Sequence, residues 1–178
     1  DDVGGTWRDN TYPGCACDVP SVVYSYSFEQ RPDWSRSFAG NHEIHQYIRR
    51  CVEKYDLMPW LRFGASVQQA VFDDRAGLWR LTLGDGRQLT ARAVVSAVGG
   101  LVNPAYPAIP GLETFKGQQF HTARWRHDVD LRGKRVAVIG TGASAIQVIP
   151  AIQPTVSRIK VFQRTPAWVL PKPDFTVK

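Results

Sequence analysis

The sequence is short of sulfur, of membrane-length apolar runs and of clustered charge, and each shortage removes a class of protein. Three cysteines (Cys15, Cys17, Cys51) are too few and of the wrong parity for a disulfide framework, so a reducing cytoplasm is the expected setting. Apolar stretches such as Val136–Ile139 fall far short of the roughly 20 residues a membrane helix needs, and no integral membrane segment is predicted. Residues 1–5 carry neither the basic nor the apolar region of a signal peptide. Basic residues outnumber acidic ones 22 to 16, yet the longest basic run is Arg49-Arg50, and no zinc finger, RNA-recognition signature or basic zipper is present. Nucleic acid is therefore not an expected partner, and the mostly arginine surplus points to a small anionic ligand. There are no internal repeats. The single methionine is Met58 and the chain closes on a polar Pro-Lys-Pro-Asp stretch, so a piece of a longer protein is expected.

What is present reads as a folded α/β chain: 178 residues, 43% hydrophobic, enough to bury a core. Residues 1–40 are rich in Gly, Pro and aromatics and predict ordered loop that packs against something large. Asn41 is a candidate N-cap for a helix whose apolar stripe is Ile44, Ile48, Cys51, Val52 and Tyr55, with Pro59 ending it. From Leu61 the period becomes two: Phe63, Ala65 and Val67 alternate, then Trp79, Leu81 and Leu83. Gly84-Asp85-Gly86 supplies a turn, and Leu89 and Ala91 continue on the return strand. The solid apolar run from Ala93 to Val98 predicts a strand buried on both faces. Pro104, Pro107 and Pro110, closed by Gly111, mark a domain boundary, giving domains 1–103 and 104–178.

The sharpest motif lies after that boundary. Arg135–Ile139 is an apolar strand that runs into Gly140-Thr141-Gly142-Ala143-Ser144-Ala145, a G-x-G-x-x-A loop, and then into a helix; a second strand arrives at Ile159–Phe162. Gly140 permits the tight turn, Gly142 lets backbone approach a pyrophosphate, and small Ala145 allows close helix–strand packing. The helix N-terminus faces the phosphate charge. An ordinary glycine turn in an α/β unit is the bland alternative. At the tip of the second strand an NAD site wants a carboxylate, but the sequence offers Gln163-Arg164-Thr165. A guanidinium there suits a 2′-phosphate, so NADPH is expected; a solvated strand-end arginine is the plainer reading of Arg164.

Phe115–Trp125 (FKGQQFHTARW) resembles the F-x-G-x-x-x-H-x-x-x-W fingerprint of the Baeyer–Villiger monooxygenases, a family of flavin-dependent enzymes, and the glycine loop follows at the expected spacing. Gly4-Gly5-Thr6-Trp7 and Tyr12–Asp18 (YPGCACD) resemble that family's flavin-contacting segments. Ser96–Gly100 is similar to the motif at the flavin domain's exit, and Val161–Pro166 to the NADP-selecting turn. The sequence departs from the pattern at Arg126, where Pro or Asp is usual, and at Val98, where threonine is usual.

The resemblance implies two dinucleotide-binding, Rossmann-like domains, each only partly present, with a β-meander insertion. The first flavin glycine motif would precede residue 1, and a flavin-facing arginine would follow residue 178. It further implies that NADPH reduces FAD, that O₂ forms a C4a-peroxyflavin, and that this attacks a ketone to give an ester or lactone. Gly5, Thr6, Trp7, Asp18 and Tyr24 would line FAD, with Val67 toward its adenine end. Gly140, Thr141, Gly142, Ser144, Ala145, Arg164 and Thr165 would hold NADP. Asp18 would orient a cation beside the flavin, against the alternative of an Asx-turn residue; His121 would be catalytic or, more simply, a structural hinge. Cys15 and Cys17 read as packed thiols, and no metal site is expected. An N- or S-oxidising flavin monooxygenase and a non-catalytic NADP-binding remnant are the competing functions; the oligomeric state is open.

Overall fold

The computed structural model describes residues 2–177. The chain forms two compact units, Val52–Val102 with Asp2, and Val3–Cys51 with residues 103–177. In chain order the elements are α1 (Thr6–Asp9), α2 (Asn41–Lys54), β1 (Val67–Asp73), β2 (Leu78–Leu83), β3 (Gln88–Ala91), β4 (Arg135–Ile139), α3 (Ala143–Ile152) and β5 (Arg158–Phe162), with short 3₁₀ turns between them.

In the larger unit, α2 forms because Ile44, Tyr47, Ile48 and Cys51 fall on one stripe, and that stripe packs on Cys17, Trp34 and Ala39. Complete burial of a side chain such as Ile44 stabilises by about 1.5–3 kcal/mol. The helix starts one residue earlier than its expected cap. The Glu43 and Ile44 amides donate to the Gly40 carbonyl (3.1 and 3.2 Å), so Asn41 lies inside the first turn. It ends before Pro59 as expected, through a left-handed Asp56 (φ +47°) and a Leu57 amide reaching back to the Val52 carbonyl at 2.9 Å.

A second cluster joins Val148 and Ile152 of α3 to Tyr12 and Cys15 from the N-terminal loop, flanked by Val136 of β4 and Ile159 of β5. β4 and β5 pair in parallel, Arg135 opposite Arg158 through Ile139 opposite Phe162, with α3 as the crossover between them. The predicted strand–loop–helix–strand unit is therefore present. Trp7 packs against both clusters.

The smaller unit is an antiparallel meander in the order β1-β2-β3, with Trp79 opposite both Phe72 and Ala91. Its second turn is the predicted Gly84–Gly86 turn, closed by the Leu83 amide on the Arg87 carbonyl (2.9 Å), and Leu83 is buried. Two sequence expectations fail here. Phe63 and Ala65 precede the strand, because Gly64 adopts a left-handed φ of +63° and breaks the extended run. Ala93–Val98 is not a strand: Val95 is 91% exposed, and no described strand pairs with it. An apolar run makes a buried strand only where neighbours offer a ladder, and β1–β3 complete theirs without it.

Among the described residues, no helix is long and apolar enough to cross a membrane.

Candidate functional site

At the end of β4 the chain turns through Gly140, whose φ of +108° is open only to glycine and whose amide donates to the Phe162 carbonyl at 2.8 Å. Gly142 then starts α3 in extended conformation, and its carbonyl accepts from the Ala145 and Ile146 amides. A Cβ added at Gly140 or Gly142 would meet nothing within 4 Å, so the space over the loop is free for a ligand that approaches the backbone. Ala145 is buried. The first turn of α3 carries no acidic side chain, which leaves its N-terminal dipole for an anion. Arg164 and Thr165 follow the end of β5 and are exposed. Thr141 is half-buried and Ser144 partly so.

The N-terminal loop is folded against the same helix. Gly5, with φ +47° and ψ −116°, is a glycine conformation that opens α1, leaving Thr6 exposed. The Trp7 indole Nε1 donates to the Tyr24 hydroxyl at 3.0 Å, with the two rings nearly perpendicular at 5.7 Å. Burial pushes the Tyr24 hydroxyl up in pKa; the Trp7 hydrogen bond opposes the rise, and Cys17 and Asp18 add to it. Burial likewise pushes the Tyr12 hydroxyl up to about 12, opposed by the Ser144 hydroxyl and reinforced by Cys15 and Asp18. Trp7 and Tyr24 pack against the cluster that contains Cys17, and the exposed Asp18 is the next residue, so the three share one neighbourhood.

Three anchors hold the loop that bears Asp18. Tyr12 donates to Gln147 Oε1 at 2.8 Å, and Gln147 Nε2 donates to the Ala16 carbonyl at 2.8 Å. Lys172 Nζ donates to the Cys17 carbonyl at 3.3 Å while lying 4.8 Å from the Phe38 ring centroid. Asp174 accepts from Arg36 Nε (2.8 Å) and Ser37 Oγ (3.1 Å), which pins the stretch around Lys172. An Asx turn at Asp18 has no donor, because the residue two positions on is Pro20, which lacks an N–H. Cys15 and Cys17 are buried, and burial raises both thiols, so neither is a ready thiolate.

His121 caps the short 3₁₀ turn Thr122–Arg124: its Nδ1 accepts from the Ala123 amide at 3.1 Å, and its ring meets Tyr106 edge-on at 5.9 Å. That geometry fits the hinge reading. Val67 begins β1 in the smaller unit and is exposed. Sequence reasoning missed Gln147 and Lys172, and it placed Tyr12 and Gly14 in a flavin-contacting segment without their contacts to α3. A signal existed for Gln147, an amide midway along an otherwise apolar helix. A concavity of about 620 Å³ on the proline-rich connection, lined by Tyr106, Ile109, Leu112 and Glu113 among others, is mostly apolar and lacks phosphate-binding cations.

Residues 1–174 match the family model described as flavin-binding monooxygenase-like. A Baeyer-Villiger monooxygenase of Pseudomonas aeruginosa is 56% identical over 172 residues, covering 97% of this chain and 33% of that protein. One of Streptomyces coelicolor is 55% identical with the same coverage. Among solved structures, an ε-caprolactone-bound cyclohexanone monooxygenase superposes with a TM-score of 0.93 at 38% identity, over 100% of this chain and 36% of that one. OTEMO in complex with FAD and NADP gives 0.93 at 38% identity, again over 100% and 36%. The chain spans about a third of the length of these relatives.

Proposed function

The chain belongs to the flavin-binding monooxygenase-like family, and from that footing we propose that it forms the cofactor-binding part of an NADPH- and FAD-dependent Baeyer–Villiger monooxygenase. Residues 1–103 are the latter part of its first FAD-domain segment and 104–178 the start of its NADP domain. When bound and reduced by NADPH, FAD activates O₂ so that one oxygen atom enters beside a ketone carbonyl.

The residues of this chain bind and orient. Gly140–Ala145 receive the NADPH pyrophosphate on free backbone at the α3 N-terminus, and Arg164 with Thr165 takes the 2′-phosphate. Gly5, Thr6, Trp7, Asp18 and Tyr24 line FAD, with Val67 toward its adenine end. The Trp7–Tyr24 hydrogen bond fixes one wall, and Asp18, exposed on its anchored loop, orients a cation. His121 holds the fingerprint segment in shape through the Ala123 amide. Three buried thiols suit the cytoplasm.

The observation that carries this reading is the open glycine loop in the same compact unit as the Trp7–Tyr24–Asp18 neighbourhood. The test is NADPH consumption by the full-length protein with panels of ketones, amines and sulfides, with ¹⁸O₂ used to trace the inserted atom. Ester or lactone carrying one ¹⁸O is expected. Oxidation of amines or sulfides alone would overturn it.

A further inference from the structure

Within one compact unit, the side chain of Gln147 bridges the two cofactor regions proposed above. Gln147 lies one turn beyond Ser144 on α3. Its Oε1 accepts from the Tyr12 hydroxyl at 2.8 Å and the Ala16 amide at 3.5 Å, and its Nε2 donates to the Ala16 carbonyl at 2.8 Å. The side-chain amide therefore meets the backbone of Ala16 through both of that residue's polar groups. Beneath it the loop touches the helix itself: a Cβ on Gly14 would lie 2.7 Å from the Gln147 carbonyl oxygen and 3.1 Å from the Ala151 Cβ. Ser144 stands in the first turn of the same helix, directly above the glycine loop, one turn before Gln147.

An apolar side chain would fill this space equally well if packing were all that mattered. A two-point amide contact instead fixes where Ala16 lies along α3, and Asp18 is two residues further on. We infer that Gln147 is a positioning residue that couples the dinucleotide-holding turn of α3 to the Asp18 loop, so that occupancy of the glycine loop by NADP is felt at Asp18. The inference rests on the reading of the glycine loop as the NADP site. Ligand at Gly140–Ala145 stiffens the first turn of α3, and Gln147, one turn on, carries that ordering into the loop through Tyr12 and Ala16.

The test is backbone amide exchange of the full-length protein with and without NADP⁺, for the natural sequence and for Gln147→Met and Tyr12→Phe. In the natural protein NADP⁺ should slow exchange at residues 141–146 and also, roughly tenfold, at residues 14–18. In Gln147→Met the first protection should persist and the second should vanish; Tyr12→Phe, which keeps the Ala16 contacts, should retain part of it. A purely structural Gln147 would instead give faster exchange at 14–18 by the same factor with and without NADP⁺, which would overturn the inference. Protection confined to 141–146 in the natural protein would also overturn it while leaving the NADP site standing. No protection at 141–146 would overturn both. If Gln147→Met does not fold, Tyr12→Phe with unchanged NADP⁺-dependent protection at 14–18 decides against the coupling.

Discussion

Gly14→Ala tests the loop-to-helix contact most directly. The residue has φ +80°, a conformation that costs an L-amino acid about 1–2 kcal/mol. Its new Cβ would lie 2.7 Å from the Gln147 carbonyl oxygen, which is backbone in the middle of α3 and cannot swing aside, and 3.1 Å from the Ala151 Cβ. Forcing an extra carbon into such a contact costs about 1–3 kcal/mol more. The reduced freedom of the unfolded chain returns about 0.4–1 kcal/mol. The net loss is about 1–4.6 kcal/mol, centred near 3, a fall in Tm of about 2–18 °C for a chain of this size. Gly133→Ala is the matched control. It has a similar left-handed φ of +67° in the same compact unit, and its Cβ would meet nothing within 4 Å, so only the conformational cost of about 1 kcal/mol remains. Thermal unfolding followed by circular dichroism reads both. If the two variants lose equal stability, the loop does not press on α3 and the geometry that places Asp18 is wrong.

Other consequences are as direct. The raised pKa of buried Tyr12 means its stabilising contribution is complete below the unfolded value near 10 and is lost as pH climbs through about 12, an alkaline loss of about 2–3 kcal/mol. Unfolding free energies between pH 9 and 12 should fall more steeply for the natural sequence than for Tyr12→Phe, and parallel curves would refute the assignment. Arg164→Ala should weaken NADPH binding by about tenfold to a hundredfold and leave NADH untouched; equal losses for both would remove Arg164 from the 2′-phosphate site. Glu43 accepts from Arg31 Nη2 (3.0 Å), the Ser35 amide (3.0 Å) and Ser35 Oγ (2.7 Å) in a largely buried setting. Glu43→Gln should therefore cost about 2 kcal/mol in urea unfolding, and a neutral result would mean that solvent screens the pair. Arg126 and Arg132 hold the exposed Asp128 and Asp130 carboxyls down to about 2; NMR titration should find both low and rising toward ordinary values at high salt.

Much of the fold was legible because its signals are local. The β4–α3–β5 unit announces itself through a strand pattern, a glycine loop and a second strand, and α2 through one apolar stripe. The hairpin at Gly84–Gly86 is likewise written in consecutive residues. Ala93–Val98 misled because apolar content describes what a segment can pack against, while strand formation depends on a neighbour that sequence does not specify. Within the candidate site, Gly140, Ala145 and the Trp7–Tyr24 pair could be read from motifs. Gln147, Lys172 and the anchoring role of Tyr12 could not, because their hydrogen-bond partners lie more than a hundred positions away.

That separation has a consequence for how the chain is made. Tyr12 waits for Gln147 across 135 residues, and Arg36 for Asp174 across 138. At about 5–20 residues per second, a ribosome needs about 7–27 s to deliver Gln147 after Tyr12. The cluster of Cys17, Trp34, Ile44 and Tyr47 can close early from its own neighbourhood, whereas Tyr12 and Cys15 must stay wet until α3 emerges. Trp7, which serves both clusters, is held on one side and bare on the other throughout that interval. The nascent protein thus carries a sticky aromatic edge while those 135 residues are made, and its yield in cells should depend on translation speed and on chaperones that shelter that edge until α3 is out.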